Sequence, residues 1–460
     1  VNAKPHLGHV LEWFQADTIA RYQRLLGKDV SFVCGADENS LKNVQAAEKA
    51  GVTPQKWLDE YAEIFRQAFD AFGISLTGFR RGSDQEKHWP GVQKLWNLCA
   101  AAGDMYKKTY SGLYCVGCES FYAPDELVDG KCPEHFTIPE TVEEENYFFR
   151  LSKYQQKILD LIESDQLKIV SQQYKNEMIG FVKKGLEDFS VSRSMARSRG
   201  VGVPVPGDDT QVMYVWFDAL AIYMTAVGWG YDQKLFEKFW PADVHVIGKG
   251  INRFHSVYWI GMLLSAGLAT PKAVSVHGYI TVNGQKMSKS LGNIIDPFAL
   301  VEQYGLEPVR YFLLKEILTH GDGDFSHERF KEIYTADLAN GLGNLCSRVA
   351  KLCEKNGSDF LVKEVTFNKE YCSLMDQFEI DKSVQFLSER VRESDAFLSE
   401  QKPWAQSGQE QTKILQEAVD RICLISFHLQ PCMPKLGKHI FAHFHQNRIS
   451  ALQPLFPRLA

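Results

Sequence analysis

The chain has 460 residues, 45% of them apolar and 23% charged, with a formal net charge of −6 and ten cysteines. That length suits about three domains of ordinary globular composition, and no apolar run approaches the roughly 18 residues of a membrane-spanning helix. The acidic balance excludes bulk attraction to nucleic acid, so a polyanion partner must be held by local basic patches.

The cysteines form no disulfide framework. Cys34, Cys99, Cys346 and Cys423 sit singly in apolar stretches and are expected as small core residues of a reducing compartment. The chain begins at Val1 and enters motif-like sequence at once, so further residues are expected upstream. A cytoplasmic location is expected, with an organellar address left open.

In chain order, "KPHLGHVLEW" places His6, Gly8 and His9 where a helix over residues 10–26 begins. Leu11, Phe14, Ile19, Tyr22 and Leu25 supply the helical period and Gly27 the stop. A helix start offers unpaired N–H groups to an anion, and a glycine there lets a ligand approach the backbone. Two surface histidines at a helix start is an equally good reading of this stretch alone.

"DVSFVCGADENS" reads as a buried strand closing on Asp37, Glu38 and Asn39, the pattern of a ligand site at the carboxyl edge of a parallel sheet. Helical patterns follow to about residue 104. From 105 to about 210 the texture turns Tyr-rich and turn-rich, which marks an inserted domain. Within it Cys115-x-x-Cys118 and Cys132-x-x-His135 are two ligand arms separated by 13 residues. That spacing indicates one tetrahedral structural zinc with no open position for catalysis.

Strands resume at "QVMYVWFDAL", "DVHVIGKG" and "AVSVHGYITV", which continues the first α/β sheet. "NGQKMSKSLGN" then sets Lys286 and Lys289 among Ser288 and Ser290, between Gly284 and Gly292. Such a flexible cationic loop could close over a polyphosphate and neutralise charge growing in a transition state. Taken alone, a lysine-serine loop is usually just solvated surface. Beyond about residue 330 the pattern is continuously helical to the end. The expected fold is α/β, a Rossmann-like parallel-sheet domain split by a zinc-binding insertion and followed by a helical bundle. Its boundaries are 1–104, 105–210, 211–330 and 331–460.

The pair "HLGH" and "KMSKS" resembles the two signatures of class I aminoacyl-tRNA synthetases. Around them the chain is similar to the methionyl-tRNA synthetase family along nearly its whole length. The resemblance implies catalytic roles for His6, His9, Lys286 and Lys289, and ATP contacts for these together with Gly8, Gly248 and Ser288. "VWFDALAIYMTAVG" and "GKGINRFHSVYW" map methionine-pocket roles onto Trp216, Ala219, Leu220, Tyr223, Ile251, His255 and Trp259, with Asp37 holding the substrate ammonium. A thioether is apolar, polarizable and a weak acceptor, which suits aromatic walls with one or two polar tips.

Arg193 falls where the family has an active-site arginine. "DLANGLGNLCSR" and "EQKPW" are similar to the anticodon-reading elements and map onto Asn344, Arg348 and Trp404. The implied cofactors are one structural Zn²⁺, held by Cys115, Cys118, Cys132 and His135, and Mg²⁺ with ATP. The implied partners are ATP, L-methionine and methionine tRNA, both initiator and elongator, with no membrane. The chain stops about where the helical domain should, so a monomer is expected.

Two departures stand out. Gly250 occupies a place where the family usually has Asp, which leaves Asp218 as a neighbour that could take over the role. Asn39 stands where histidine is common. Alternatives left open are a sister synthetase for leucine, isoleucine, valine or cysteine, an inactive RNA-binding paralogue, and a nucleotidyltransferase that does not act on RNA.

Overall fold

The computed structural model describes residues 4–459 apart from 116, 118, 119, 135 and 288–292, with backbone alone at 110, 120, 121 and 286. The expected residues Cys118, His135, Ser288 and Lys289 therefore lie outside the described residues. In chain order the elements begin with α1 (Leu7–Leu25), β1 (Val33–Ala36), α2 (Leu41–Lys49), α3 (Pro54–Ala71), β2 (Gly78–Arg81) and α4 (Trp89–Ala101). Next come β3 (Met105–Cys115), β4 (Ser120–Tyr122), β5 (Glu140–Phe149), α5 (Gln155–Glu163), β6 (Lys168–Val170) and α6 (Gln172–Lys183). They are followed by β7 (Phe189–Ser190), β8 (Ser192–Ser194), α7 (Met195–Ser198), β9 (Pro204–Val205) and β10 (Asp208–Met213).

The chain continues with α8 (Val215–Thr225), α9 (Gln233–Phe239), β11 (His245–Gly248), a π-helical turn (Phe254–Tyr258), α10 (Trp259–Ser265) and β12 (Ala273–His277). Then follow β13 (Ile280–Val282), β14 (Gln285–Lys286), α11 (Pro297–Tyr304), α12 (Leu306–Glu316), β15 (Gly323–Phe325) and α13 (His327–Ile333). The last elements are a π-helical stretch (Tyr334–Gly343), α14 (Asn344–Asn356), α15 (Lys369–Asp376), α16 (Ile380–Gln401), α17 (Gly408–Leu429) and α18 (Pro434–Phe444). The residues group into two compact units, 1–5 with 31–276 and 6–30 with 277–460.

The first unit holds parallel sheets. β1 pairs parallel with β2, and β12 pairs parallel with β6 in the sheet ordered β11-β12-β6. All five residues of β12 are buried, as expected of a strand covered on both faces. The antiparallel sheets β4-β3-β5-β7 and β8-β10-β9 complete the unit. A core including Trp96, Phe149, Phe217 and Trp259 fills it.

Two expectations are corrected here. Helical pattern was expected to run to residue 104, yet β2 interrupts it. Its four residues, all half-buried, carry no apolar alternation, and β1 still requires a parallel neighbour. Thr77 leads β2 in by accepting from the Phe32 N–H at 2.8 Å and donating to its carbonyl at 2.9 Å. The stretch 105–210 also contains the helices α5 and α6, and its β6 joins β12.

The second unit is largely helical. The expectation of unbroken helix after 330 fails between Gly357 and Asn368, where the chain runs extended from α14 to α15. Side chains replace a partner strand there. Gln416 accepts from the Leu361 N–H at 2.7 Å and donates to its carbonyl at 3.0 Å. Asn447 serves Phe360 likewise, through its own carbonyl and side-chain amide.

Within the same unit α1 is fastened to α12 by a buried pair. Arg310 reaches Asp17 at 2.8 Å with both side chains fully buried, lies over the Phe14 ring at 4.6 Å, and donates to the Cys432 carbonyl at 2.8 Å. Tyr22, one turn further along, packs edge-on against Phe367 and Tyr371.

Candidate active site

The start of α1 is built from two histidines acting as each other's cap. His6 is the N-cap in extended conformation, and its Nδ1 accepts from the Gly8 and His9 N–H groups at 3.1 and 3.4 Å. His9 returns the contact, with its Nδ1 accepting from the His6 N–H at 3.2 Å. This is a capping box made with imidazoles. Its consequence is chemical. With both Nδ1 atoms used as acceptors, the ring protons sit on Nε2, where each can donate to an oxyanion.

The rings stack at 3.8 Å, and a Cβ on Gly8 would lie 3.0 Å from His6 Cε1, so any larger residue would push the first ring back from the helix start by a few tenths of an ångström. Desolvation favours the neutral form of both groups, although His6 keeps an exposed edge and His9 is half-buried. It lowers His6 against the opposing charge of Glu12, and it pushes His9 down to about 3 with His6 and His277 adding to the effect. Burial also works against a charge on His277, but Glu12 at 3.1 Å outweighs it and raises that group.

Further along this unit Asn283 and Gly284, at φ 51° and 74°, make a tight turn between β13 and β14. The Gly284 N–H and the Thr281 hydroxyl both donate to Asp324 Oδ1, which fixes the hairpin that carries the Lys286 backbone toward the cationic loop.

In the first unit the loop after β1 carries Asp37. Asn43 Nδ2 donates to the carbonyls of Asp37 and Glu38 at 3.3 and 2.9 Å and so holds the loop against α2. Glu38, fully buried, accepts from Arg81 Nε, the Ser83 N–H and the Ser83 hydroxyl. Asn39 donates to Gly82 O at 2.8 Å and to Asp218 Oδ2 at 2.6 Å. The other oxygen of Asp218 meets His88 Nε2 at 2.5 Å, and His88 Nδ1 meets the Thr225 hydroxyl at 2.7 Å. Asp218 thus has both oxygens engaged inside the protein, while Gly250 lies exposed in the short turn Lys249–Ile251.

The aromatic residues expected around methionine come together. Trp216 stacks on Phe254 at 4.1 Å and stands edge-on to His255 at 6.3 Å. The Tyr223 hydroxyl is 2.8 Å from His255 Nε2, and His255 Nδ1 is 2.9 Å from the Ile251 carbonyl. The carbonyl must accept, so the proton is on Nδ1 and Tyr223 donates to Nε2. Leu220 is buried and Ala219 half-buried on the same helix α8, and Trp259 is fully buried beside Trp240 at 6.2 Å. His255 lies in a π-helical turn, a form of backbone enriched at functional sites.

Arg193 is pinned by donating to Ser190 Oγ and the Ser192 carbonyl, with Tyr214 under its guanidinium at 4.3 Å. In the helical unit a second π-helical stretch ends at Gly343, directly before the exposed Asn344. One turn on, Arg348 lies over the half-exposed Trp404 at 5.5 Å and is steadied by Asp395 at 2.7 Å.

Of the zinc set, Cys115 and Cys132 are described. Both are buried in a core of Cys115, Tyr122 and Cys132 with Leu127 packed against it, Cys132 Sγ donating to the Tyr122 hydroxyl at 3.5 Å and Cys115 Sγ lying 3.7 Å from Thr137 Oγ1. A core so small does not hold itself together without a staple, which fits a metal clip.

Sequence reasoning missed His88, Asn43, His277 and His245. His245 opens β11, and its ring lies flat on Tyr223 at 4.0 Å. A histidine inside the apolar run "DVHVIG" was the signal available.

Comparison with known proteins identifies the family and the fold. The family described as tRNA synthetases class I (M) matches residues 1–137 and 135–350. The methionine–tRNA ligase of Thermotoga maritima is 39% identical over 96% of this chain and 73% of its own length. That of Brucella suis is 41% identical over 88% of this chain and 81% of its own. The methionyl-tRNA synthetase of Mycobacterium tuberculosis, solved with methionyl-adenylate, superposes with a TM-score of 0.91 at 35% identity, covering 99% of this chain and 97% of that one. Matched in sequence over most of its length and in fold throughout, the chain belongs to the methionine–tRNA ligase family of class I tRNA synthetases.

Proposed function

We infer that the chain activates L-methionine with ATP, giving methionyl-adenylate and pyrophosphate, and then transfers the methionyl group to the 3′ adenosine of methionine tRNA. The observation that carries the reading is the pair of neutral, mutually capped histidines at the start of α1. In-line attack of the methionine carboxylate on the α-phosphate asks little covalent chemistry of a protein, so positioning and charge stabilisation do the work.

His6 and His9 donate their Nε2 protons to phosphate oxygens as hydrogen-bond donors rather than as cations. Lys286 and Lys289 close over the β- and γ-phosphates as the leaving group gains charge, with Gly8, Gly248 and Ser288 lining the nucleotide. Mg²⁺ accompanying ATP supplies further neutralisation of the phosphates. Asp37 holds the ammonium, and Trp216, Ala219, Leu220, Tyr223, Ile251, His255 and Trp259 enclose the side chain. Arg193 adds a fixed cation to the site.

Cys115, Cys118, Cys132 and His135 hold one structural Zn²⁺ that clips the inserted segment. Asn344, Arg348 and Trp404 read the anticodon of initiator and elongator tRNA, a stacked guanidinium–indole pair being suited to splayed loop bases. The four expected segments serve as first catalytic half, insertion, second catalytic half and tRNA-reading bundle, in a monomer of the cytoplasm.

ATP–pyrophosphate exchange by the purified chain, run without tRNA against all standard amino acids, tests the reading. Exchange with methionine alone supports it. Exchange with another amino acid replaces the specificity, and no exchange at all replaces catalysis with RNA binding.

A further inference from the structure

Three arginines lie in the segment from β8 to the end of α7, and they are held in different ways. Arg193 is buried and pinned by Ser190 and the Ser192 carbonyl. Arg199 forms an ion pair with Glu48. Arg197 lies over the Tyr114 ring at 4.6 Å, and Arg193 lies over the same ring at 5.4 Å. The carboxylate beside Arg197, that of Glu140, is mostly exposed and stands 3.8 Å away, beyond hydrogen-bond reach. Arg197 Nη2 has no hydrogen-bond partner among the described residues, and 20% of the side chain meets solvent.

The root of this side chain is nevertheless fixed. Ser194 Oγ accepts from the Arg197 N–H at 3.2 Å, and the same hydroxyl donates to Glu144. Arg197 is thus a positioned guanidinium whose charge is loosely matched. The insertion around it repels polyanions, because residues 124–145 hold eight acidic side chains against Lys131 alone. An RNA strand that enters here needs a local cation to meet it.

The transfer step brings such a strand. A 3′ adenosine that offers its hydroxyl to the methionyl carbonyl has the phosphate on its 5′ side one ribose away. Arg197 shares a ring with Arg193 and so stands beside the site, and a guanidinium meets phosphate oxygens with two parallel N–H groups.

We propose that Arg197 is a further substrate-binding residue, whose guanidinium meets the phosphodiester on the 5′ side of the 3′-terminal adenosine of tRNA. The proposal rests on the reading that this chain charges methionine tRNA with Arg193 in its site. The exposed Glu140 returns to solvent when the phosphate takes its place. The contact belongs to transfer, because activation of methionine involves no RNA.

Exchange without tRNA and charging of methionine tRNA by the full chain provide the test. Wild-type protein that fails at either reaction overturns the functional reading, and this proposal with it. With wild type active in both, Arg197→Gln is expected to raise KM for tRNA about tenfold more than it raises KM for methionine in exchange. The slope of tRNA affinity against salt should fall by about one charge. Arg197→Lys keeps the charge and is expected to keep the slope. A residue that merely packs would change both reactions alike, and equal changes or an unchanged KM for tRNA overturn the assignment.

A second measurement on wild type does not depend on variants folding. Methionine tRNA with an uncharged methylphosphonate at its last phosphodiester is expected to show a KM about tenfold above that of the natural linkage. Equal KM values overturn the proposal.

Discussion

His88 and His245 are equally deep in the first unit and oppositely surrounded. His88 has each ring nitrogen matched, one to Asp218 and one to Thr225, whereas among the described residues His245 has neither matched. Helix α8 faces both. At about 100° per residue, Trp216 and Tyr223 share one face of it, and Asp218 and Thr225 share another about 160° round. One face holds the aromatic residues, and the other ties the helix to the loop after β1 through Asn39. The contrast teaches that a hydrogen-bonded buried histidine ties distant segments together, whereas one laid against aromatic rings serves the packing of their cluster.

The largest effect should come from breaking the fastener. His88→Ala leaves the Asp218 carboxylate buried with one partner fewer, at a cost of about 3 kcal/mol. Calorimetry should show a clearly lowered midpoint for it, and a midpoint no lower than wild type for His245→Phe. An unchanged His88→Ala midpoint would erase the contrast.

The next test asks whether the fastened loop serves the substrate. Asp37→Asn removes the charge proposed to pair with the substrate ammonium, and kcat/KM for methionine in exchange should fall about 100-fold while the midpoint holds. Equal activity would detach Asp37 from the site.

Acid titration separates neutral from charged histidines. His9 and His245 are both held near pKa 3, so below the unfolded value of 6.5 the unfolded chain binds protons that the folded chain refuses. Stability conferred by either group is whole above pH 6.5 and is lost as pH falls toward 3. For His245 this amounts to about 2 kcal/mol between pH 6.5 and pH 5. His277, raised by Glu12 against its burial, works the other way: its contribution is whole below 6.5 and is lost as pH rises through its folded value. Denaturation midpoints at pH 7 and pH 5 should therefore differ less in His245→Phe than in wild type.

The smallest effect belongs to His6, which spends one nitrogen on a cap and aims the other outward. His6→Ala should cost about 1 kcal/mol of stability, and His6→Asn, a good N-cap, should recover it. Both should lose exchange activity. If Asn restores activity along with stability, the imidazole is only a cap.

Local pattern carried much of this to the reader of the sequence. The helix after "HLGH" was legible because its apolar period and Gly27 stop are local, and it runs Leu7–Leu25. The strand ending before Asp37 was legible for the same reason. Arg348 and Trp404 were singled out by resemblance rather than pattern, and their stack was not foreseen. Asn39 and Asp218 lie 179 residues apart, and His88 and Asp218 lie 130 apart, so no periodicity links them. The extended run after Gly357 was missed because side chains, rather than a second strand, hold its backbone. His245 was hidden by its strand, whose apolar alternation it does not visibly break.

The pair between Asp17 and Arg310 has a consequence for synthesis. Domains generally fold as they leave the ribosome, earliest part first, at about 5–20 residues per second. Helix α1 follows that rule only in part: Arg21 on the same helix pairs with the buried Asp17 at once, whereas Arg310, its second partner, and the Tyr371 that meets Tyr22 are made tens of seconds later. The segment bearing His6 and His9 is translated early and locked late. A nascent chain therefore carries α1 without its second buried tether until the helical bundle has emerged.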